Sequence, residues 1–110
     1  MDALPLEDPA NRVVTALVDT LSRFPAVERV ILFGSRASGA QRPFSDIDLA
    51  VSGVADDRDW TFIRQIAEEA RTLLKIDLIR LETVDEAVRK SVLHEGIVLY
   101  DRFAARESGL

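Results

Sequence analysis

The fold is decided by residues 46–51, which read Asp-Ile-Asp-Leu-Ala-Val and alternate in polarity. Successive side chains of a β-strand point to opposite faces of the sheet, so the apolar residues Ile47, Leu49 and Val51 share one face. Asp46 and Asp48 share the other face, within reach of a single cation. The same triplet also fits an exposed sheet face with two solvated aspartates, and taken alone it leaves both interpretations open.

A second feature lies upstream, where residues 29–33 form a β-branched apolar run that ends at Gly34 and predicts a buried strand. Gly34 and Ser35 then open a short helix or turn over residues 35–40. Glycine lets the backbone approach a phosphate closely, a helix start offers unpaired N–H groups, and Ser35 adds a hydroxyl. The pair also fits an ordinary turn. Arg36 and Arg42 flank it, either as phosphate contacts or as solvated loop residues.

Downstream, helical spacing of apolar residues predicts a helix from Arg58 to Leu74, and residues 76–81 predict a third strand. Asp77 interrupts this apolar strand. If the strand neighbours residues 46–51 in matching register, Asp77 converges with the two aspartates. Two alternatives are an edge-strand residue paired with Lys75 or Arg80, and a slipped register that points Asp77 into the helix layer.

The rest of the chain supplies the remaining elements. Asp8 and Pro9 predict the start of a first helix that ends before Pro25. Thr83 and Glu86 predict a capping box for a last helix, with Gly96 as its left-handed C′ residue. Residues 97–100 predict a short edge strand, and the tail over 101–110 is expected to be mobile. This order predicts one α/β (α+β) domain over residues 1–110, with a small sheet.

Composition excludes several classes of function. The 110 residues include no cysteine and one histidine, His94, which excludes disulfides, thiolate metal sites and multi-histidine zinc centres. Asp and Glu number 19 against 14 Lys and Arg, a net charge of −5, so a long nucleic-acid substrate is disfavoured. A small nucleotide with a bound cation is not. The chain has no basic leader and no long apolar run, so we expect a cytoplasmic protein with no membrane segment.

These residues carry a resemblance to a known family. Gly34-Ser35, ten further residues and then Asp46-Ile47-Asp48 are similar to the Gly-Ser-x10-Asp-x-Asp motif of the polymerase beta-like nucleotidyltransferase superfamily. The strings Gly-Ser-Arg-Ala-Ser-Gly and Ser-Asp-Ile-Asp-Leu-Ala-Val resemble the minimal nucleotidyltransferases (MNT proteins) of prokaryotes. The resemblance covers most of the chain, because Asp77 fits the family's third-carboxylate strand and residues 94–100 resemble the family's ending.

The resemblance implies a fold and a chemistry. The fold is a small mixed β-sheet with helices packed on one face and the site on the other. The chemistry is Mg²⁺-dependent transfer of a nucleoside monophosphate, with release of pyrophosphate. Asp46 and Asp48 would ligate two Mg²⁺ ions, with Mn²⁺ as a possible substitute, and Asp77 would complete one metal site and help deprotonate the acceptor. Gly34 and Ser35 would hold the triphosphate.

The resemblance also implies a partner. MNT proteins resemble antitoxins that use ATP to adenylylate a tyrosine of a HEPN-family RNase toxin encoded by a neighbouring gene. A chain this short has no room for an additional substrate-binding domain, so we expect the partner to supply contacts to the acceptor. Two alternatives remain open: a noncatalytic antitoxin that acts by binding alone, and a nucleotidyltransferase for a small-molecule acceptor. The choice of adenine rests on the resemblance alone.

Overall fold

The computed structural model describes residues 4–5, 8–40, 46–70 and 74–107. In these ranges it contains five helices and four strands, in an order that confirms the predicted fold class. They are α1 (Pro9–Leu21), β1 (Arg29–Phe33), α2 (Ser35–Ser38), β2 (Ile47–Ser52), α3 (Asp57–Glu68), β3 (Ile76–Arg80), α4 (Glu86–Glu95), β4 (Ile97–Asp101) and α5 (Arg102–Glu107).

The four strands form one mixed sheet in the order β3-β2-β1-β4. β1 is antiparallel to both β2 and β4, whereas β2 and β3 are parallel. The two carboxylate-bearing strands, β2 and β3, are therefore neighbours. β3 and β4 are the two edges of the sheet, as the sequence predicts for residues 97–100.

The sheet has a large apolar core on one face and a smaller one on the other. The first face packs against α1 and α3 and contains the buried residues Val30, Leu32, Ile47, Leu49 and Val51, as the alternation along β2 predicts. On the opposite face, Ile31, Ala50, Leu81 and Val92 form the smaller cluster, in which Val92 belongs to α4. The helices expected on one face are thus α1 and α3, and α4 adds a small layer on the face that also carries Asp48.

Side-chain caps start the first two long helices. The Ala10 amide donates to Asp8 Oδ1 at 2.9 Å, and the Arg58 amide donates to an oxygen of Asp56 at 2.7 Å. The prediction that α3 reaches Leu74 is wrong, because the helix ends at Glu68. Beyond this point the Ala70 amide bonds to the carbonyl of Ala67, a tighter turn than the α-helix allows. The last part of the predicted helix, residues 71–73, lies outside the described residues.

Two predictions about α4 are wrong. Its N-cap is Asp85 rather than Thr83, because the Thr83 amide and hydroxyl both bond to the carbonyl of Arg80 and close the turn after β3. Gly96 has a φ of −72° and is not left-handed. Glycine is required there for a different reason: a Cβ would lie 2.4 Å from Cγ2 of Ile31. Gly96 therefore lets the start of β4 approach β1 closely.

The segment after β4 begins with an anchored helix. Asp101 accepts hydrogen bonds from the amides of Phe103 and Ala104, and this starts α5. The Arg102 guanidinium donates to the carbonyls of Phe24 and Pro25, and its amide donates to the carbonyl of Glu28 at 2.9 Å. Residues 108–110 lie outside the described residues, and the mobility of the tail stays a prediction.

No helix in the described ranges combines the length and the apolarity needed to cross a membrane.

Candidate active site

Gly34 brings the backbone against a carboxylate. Phe33, the last residue of β1, pairs with Asp48 of β2, so the chain leaves β1 directly beside Asp48. Gly34 has φ 75° and ψ −155°, a conformation that is essentially restricted to glycine. A Cβ at this position would lie 2.4 Å from Oδ2 of Asp48. Only glycine permits this approach.

Ser35 is the first residue of α2 and is half-buried. The amides of Ala37 and Ser38 both bond to the Gly34 carbonyl at 3.1 Å, which fixes the turn immediately after the glycine. Gly34 and Ser35 thus lie at the end of β1 on the side of Asp48, where the sequence analysis expects the triphosphate.

Arg36 fixes this turn to the first helix. Its side chain is only 4% exposed, and its Nη1 lies 3.9 Å from Oδ2 of Asp8. The other oxygen of Asp8 accepts the capping hydrogen bond of α1. Arg36 is therefore not a solvated loop residue. No sequence signal pointed to this pair, because 28 positions separate its members. Arg42, the other flanking arginine, lies outside the described residues.

Asp48 and Asp77 lie side by side in the parallel pair of strands. The register pairs Asp48 with Asp77, so both carboxyl groups project from the same face of the sheet. Burial raises the pKa of Asp48 above its ordinary value, and the negative charges of Asp77 and Asp46 and a hydrogen bond with the Asp77 carboxyl raise it further. Lys75 acts in the opposite direction, and its Nζ lies 3.4 Å from Oδ1 of Asp77.

The matching register is the arrangement in which the carboxylates converge, and Asp77 does not point into the layer of α1 and α3. It shares its face with Ile79 and Leu81, which belong to the small cluster under α4. Its side chain is 39% exposed, so a substrate can reach it. Asp77 also pairs with Lys75, which the sequence analysis gave as an alternative, so the ion pair and the position beside Asp48 occur together.

Asp46 is more exposed than the other two aspartates. It directly precedes β2 and acts on Asp48 through its charge. Within the described ranges, no three acidic, histidine or cysteine residues are grouped closely enough to hold a metal ion. Asp48 and Asp77 still offer an all-oxygen pair with excess negative charge. This fits Mg²⁺, which takes one or two carboxylates and fills its other positions with water and phosphate.

A cavity of about 440 Å³ lies between α1 and α3, on the side of the sheet opposite to Asp48 and Asp77. Its lining includes Val13, Leu17 and Ile66, and none of the five predicted site residues. Size alone therefore does not identify the site, which we locate by the carboxylates and the Gly34 turn.

A comparison with protein families decides the classification. The model of the family "Polymerase beta, Nucleotidyltransferase" matches residues 15–104, a range that contains Gly34, Ser35 and all three aspartates. The chain belongs to the polymerase beta nucleotidyltransferase family. No curated protein matches this nucleotidyltransferase in sequence.

Solved structures have the same fold. A candidate minimal nucleotidyltransferase is 25% identical over 88% of this chain and 98% of its own, with a TM-score of 0.61. A toxin–antitoxin structure with AMP-PNP is 23% identical over 88% of this chain and 77% of that chain, with a TM-score of 0.61. A complex from Shewanella oneidensis, a tri-AMPylated HEPN toxin with an MNT antitoxin, is 20% identical over the same shares, with a TM-score of 0.57. The resemblance to minimal nucleotidyltransferases is confirmed.

Proposed function

We propose that this nucleotidyltransferase transfers AMP from ATP to a tyrosine of a HEPN-family partner encoded by a neighbouring gene, and thereby silences it. The observation that carries the proposal is the contact between the Gly34 turn and Asp48, beside Asp77, in a member of this family. Similar folds in a toxin–antitoxin structure with AMP-PNP and in a complex with an AMPylated toxin support it.

Mg²⁺ is the proposed metal, with two ions bound and with Mn²⁺ as a substitute. Asp48 and Asp77 would hold it together with Asp46 and the phosphates of ATP. When bound, the metal supplies positive charge for the attacking and leaving oxygens. The pKa of Asp48 is raised first by burial and then by the negative charges of Asp77 and Asp46, and a bound cation would offset the cost of ionising it.

The residues of the chain position the reactants. The hydroxyl oxygen of the acceptor attacks the α-phosphorus of ATP, the bond from that phosphorus to the bridging oxygen breaks, and pyrophosphate leaves. The hydroxyl proton passes to the carboxylate of Asp77, which is accessible from outside. Gly34 and Ser35 hold the triphosphate with backbone N–H groups and the serine hydroxyl.

We expect this ATP-dependent reaction to take place in the cytoplasm. The net charge of −5 supports a protein acceptor over a long nucleic acid.

A transfer assay with the HEPN-family protein tests this proposal. With ATP and Mg²⁺, we expect mass spectrometry to find AMP on a tyrosine of the partner, together with loss of its RNase activity. Asp77→Ala should slow the transfer about 10²–10⁴-fold, the usual effect of losing a positioned base. An RNase that is silenced without any AMP on it would instead establish a noncatalytic antitoxin.

A further inference from the structure

We propose that the outer edge of β3 binds an extended segment of the acceptor polypeptide as a fifth strand of the sheet. This inference rests on the proposed function, because it assigns the surface by which a protein acceptor reaches Asp77.

The backbone of β3 presents N–H and C=O groups at this edge that have no partner among the described residues. In the parallel pair, the Ile47 amide bonds to the Lys75 carbonyl at 2.8 Å, and the Leu81 amide bonds to the Val51 carbonyl at 2.9 Å. The backbone N–H and C=O groups of the odd-numbered residues of β3 therefore point toward β2. The N–H and C=O groups of Ile76 and Leu78 face outward, and they bond to no other residue of the described ranges.

A groove follows this edge. It has a volume of about 240 Å³ and lies between α3 and the first three residues of β3. Arg64, Ala67 and Glu68 line it from the helix, and Ile76, Asp77 and Leu78 line it from the strand. Arg64 and Glu68 are 58% and 71% exposed and lie 3.8 Å apart, so the wall of the groove offers accessible charges of both signs.

The spacing of the edge groups selects an extended polypeptide. A donor and an acceptor recur at every second residue, about 6.6 Å apart, and the backbone of another extended chain has the same repeat. The position of this edge beside the candidate site favours a segment of the acceptor as the bound polypeptide. β3 is the edge next to the candidate site, whereas β4 is separated from β3 by two strands.

The proposed pairing delivers a side chain to the site. A segment that bonds to both Ile76 and Leu78 places one of its residues directly beside Asp77, on the same face of the sheet. A hydroxyl on that residue reaches the face where Asp48 and Asp77 lie. The same pairing makes substrate choice depend on backbone conformation as well as on side chains.

Hydrogen exchange of the full chain, alone and with the HEPN-family protein and AMP-PNP, tests the inference. We expect the Ile76 and Leu78 amides to exchange at least tenfold more slowly in the complex. The amides on the outer edge of β4 serve as the control and should not change. A complex that leaves Ile76 and Leu78 unprotected would overturn the inference.

A pair of variants isolates the backbone contact. Ile76→Pro removes one outward N–H and no bond to β2, at the first residue of an edge strand, where proline is tolerated. Ile76→Ala loses comparable packing but keeps the N–H. We expect the proline variant to bind the partner at least tenfold more weakly than the alanine variant, with equal affinity for ATP.

Equal partner binding by the two variants, with AMP still transferred, would overturn the docking edge and leave the proposed function standing. If the wild-type chain neither binds nor modifies the HEPN-family protein, the proposed function fails and this inference fails with it. If Ile76→Pro does not fold, the exchange experiment on the wild-type chain decides.

Discussion

At the scale of single residues, Asp48 is a carboxylate whose ionised form the fold disfavours. It is half-buried between the Gly34 turn and Asp77, so its ionised form is disfavoured by burial first and by neighbouring carboxylates second. Its pKa is raised accordingly. A carboxylate in such a position lowers stability in the absence of a cation, and this is typical of a site arranged for a ligand.

Asp48→Asn should abolish AMP transfer without loss of stability. Folding raises the pKa of Asp48, so the folded state binds the proton more tightly than the unfolded chain does. Stability is therefore lost as the pH rises from the unfolded-state value of about 3.8 through the folded-state pKa. In metal-free buffer at neutral pH, we expect the variant to have a free energy of unfolding equal to or above that of the wild type. Urea unfolding measures it, and the difference should vanish below pH 3.8, the ordinary carboxyl pKa. A clearly destabilised variant would make Asp48 a structural residue.

Gly34→Ala should destabilise the chain and remove ATP binding. The new Cβ meets Oδ2 of Asp48 at 2.4 Å, and the backbone conformation at Gly34 costs an alanine about 1–3 kcal/mol. Gly39→Ala is the matched control, since Gly39 also has a positive φ of 83° but has nothing within 4 Å of an added Cβ. Calorimetric titration with Mg²⁺ and ATP should show binding by the control only. Normal binding by Gly34→Ala would contradict our account of the turn.

At the scale of elements, the sequence predicts what local pattern controls. The alternation over residues 46–51 predicts β2, and the apolar run before Gly34 predicts β1. Prediction from the sequence fails where a contact with another part of the chain determines the role of a residue. Gly96 is explained by Ile31 of β1, and Thr83 closes a turn onto Arg80 instead of capping α4. The side chain of Arg36 is buried beside Asp8, 28 positions earlier in the chain.

α5 provides a test at this scale. Asp101 accepts hydrogen bonds from the amides of Phe103 and Ala104 and from Arg29, and together these outweigh the effect of burial and lower the pKa of Asp101. A lowered pKa stabilises the fold above the unfolded-state value of about 3.8, and this contribution is lost as the pH falls through the folded-state pKa.

We therefore expect Asp101→Ala to lower the free energy of unfolding by about 1–2 kcal/mol at pH 7, with the loss shrinking at acid pH. Asp85→Ala is the control, because Asp85 stands at the N-cap of α4 without a side-chain capping bond. It should change stability by less than about 0.5 kcal/mol. Equal effects of the two substitutions would show that the Asp101 hydrogen bonds do not stabilise the chain end.

At the scale of the whole molecule, the site is assembled from elements far apart in sequence. The Gly34 turn follows β1, Asp48 lies in β2 and Asp77 lies in β3. The alternation of side chains along β3 shows which residues share a face with Asp77, but only the register with β2 shows that this face also carries Asp48. The motif predicts these residues as a set. Their convergence depends on strand order, which no local pattern specifies, and Asp46 does not complete a compact three-carboxylate group in the described ranges.

The most direct test of the central claim is the melting temperature of the purified chain with Mg²⁺ alone, ATP alone and both together. We predict a small effect of either alone and a rise of about 10 °C with both, at ligand concentrations near a hundred times the Kd. Two adjacent carboxylates leave most of the coordination of Mg²⁺ to the phosphates of ATP, so the two ligands should stabilise the fold jointly. The same melting temperature in all conditions would contradict a nucleotide site at Gly34, Asp48 and Asp77.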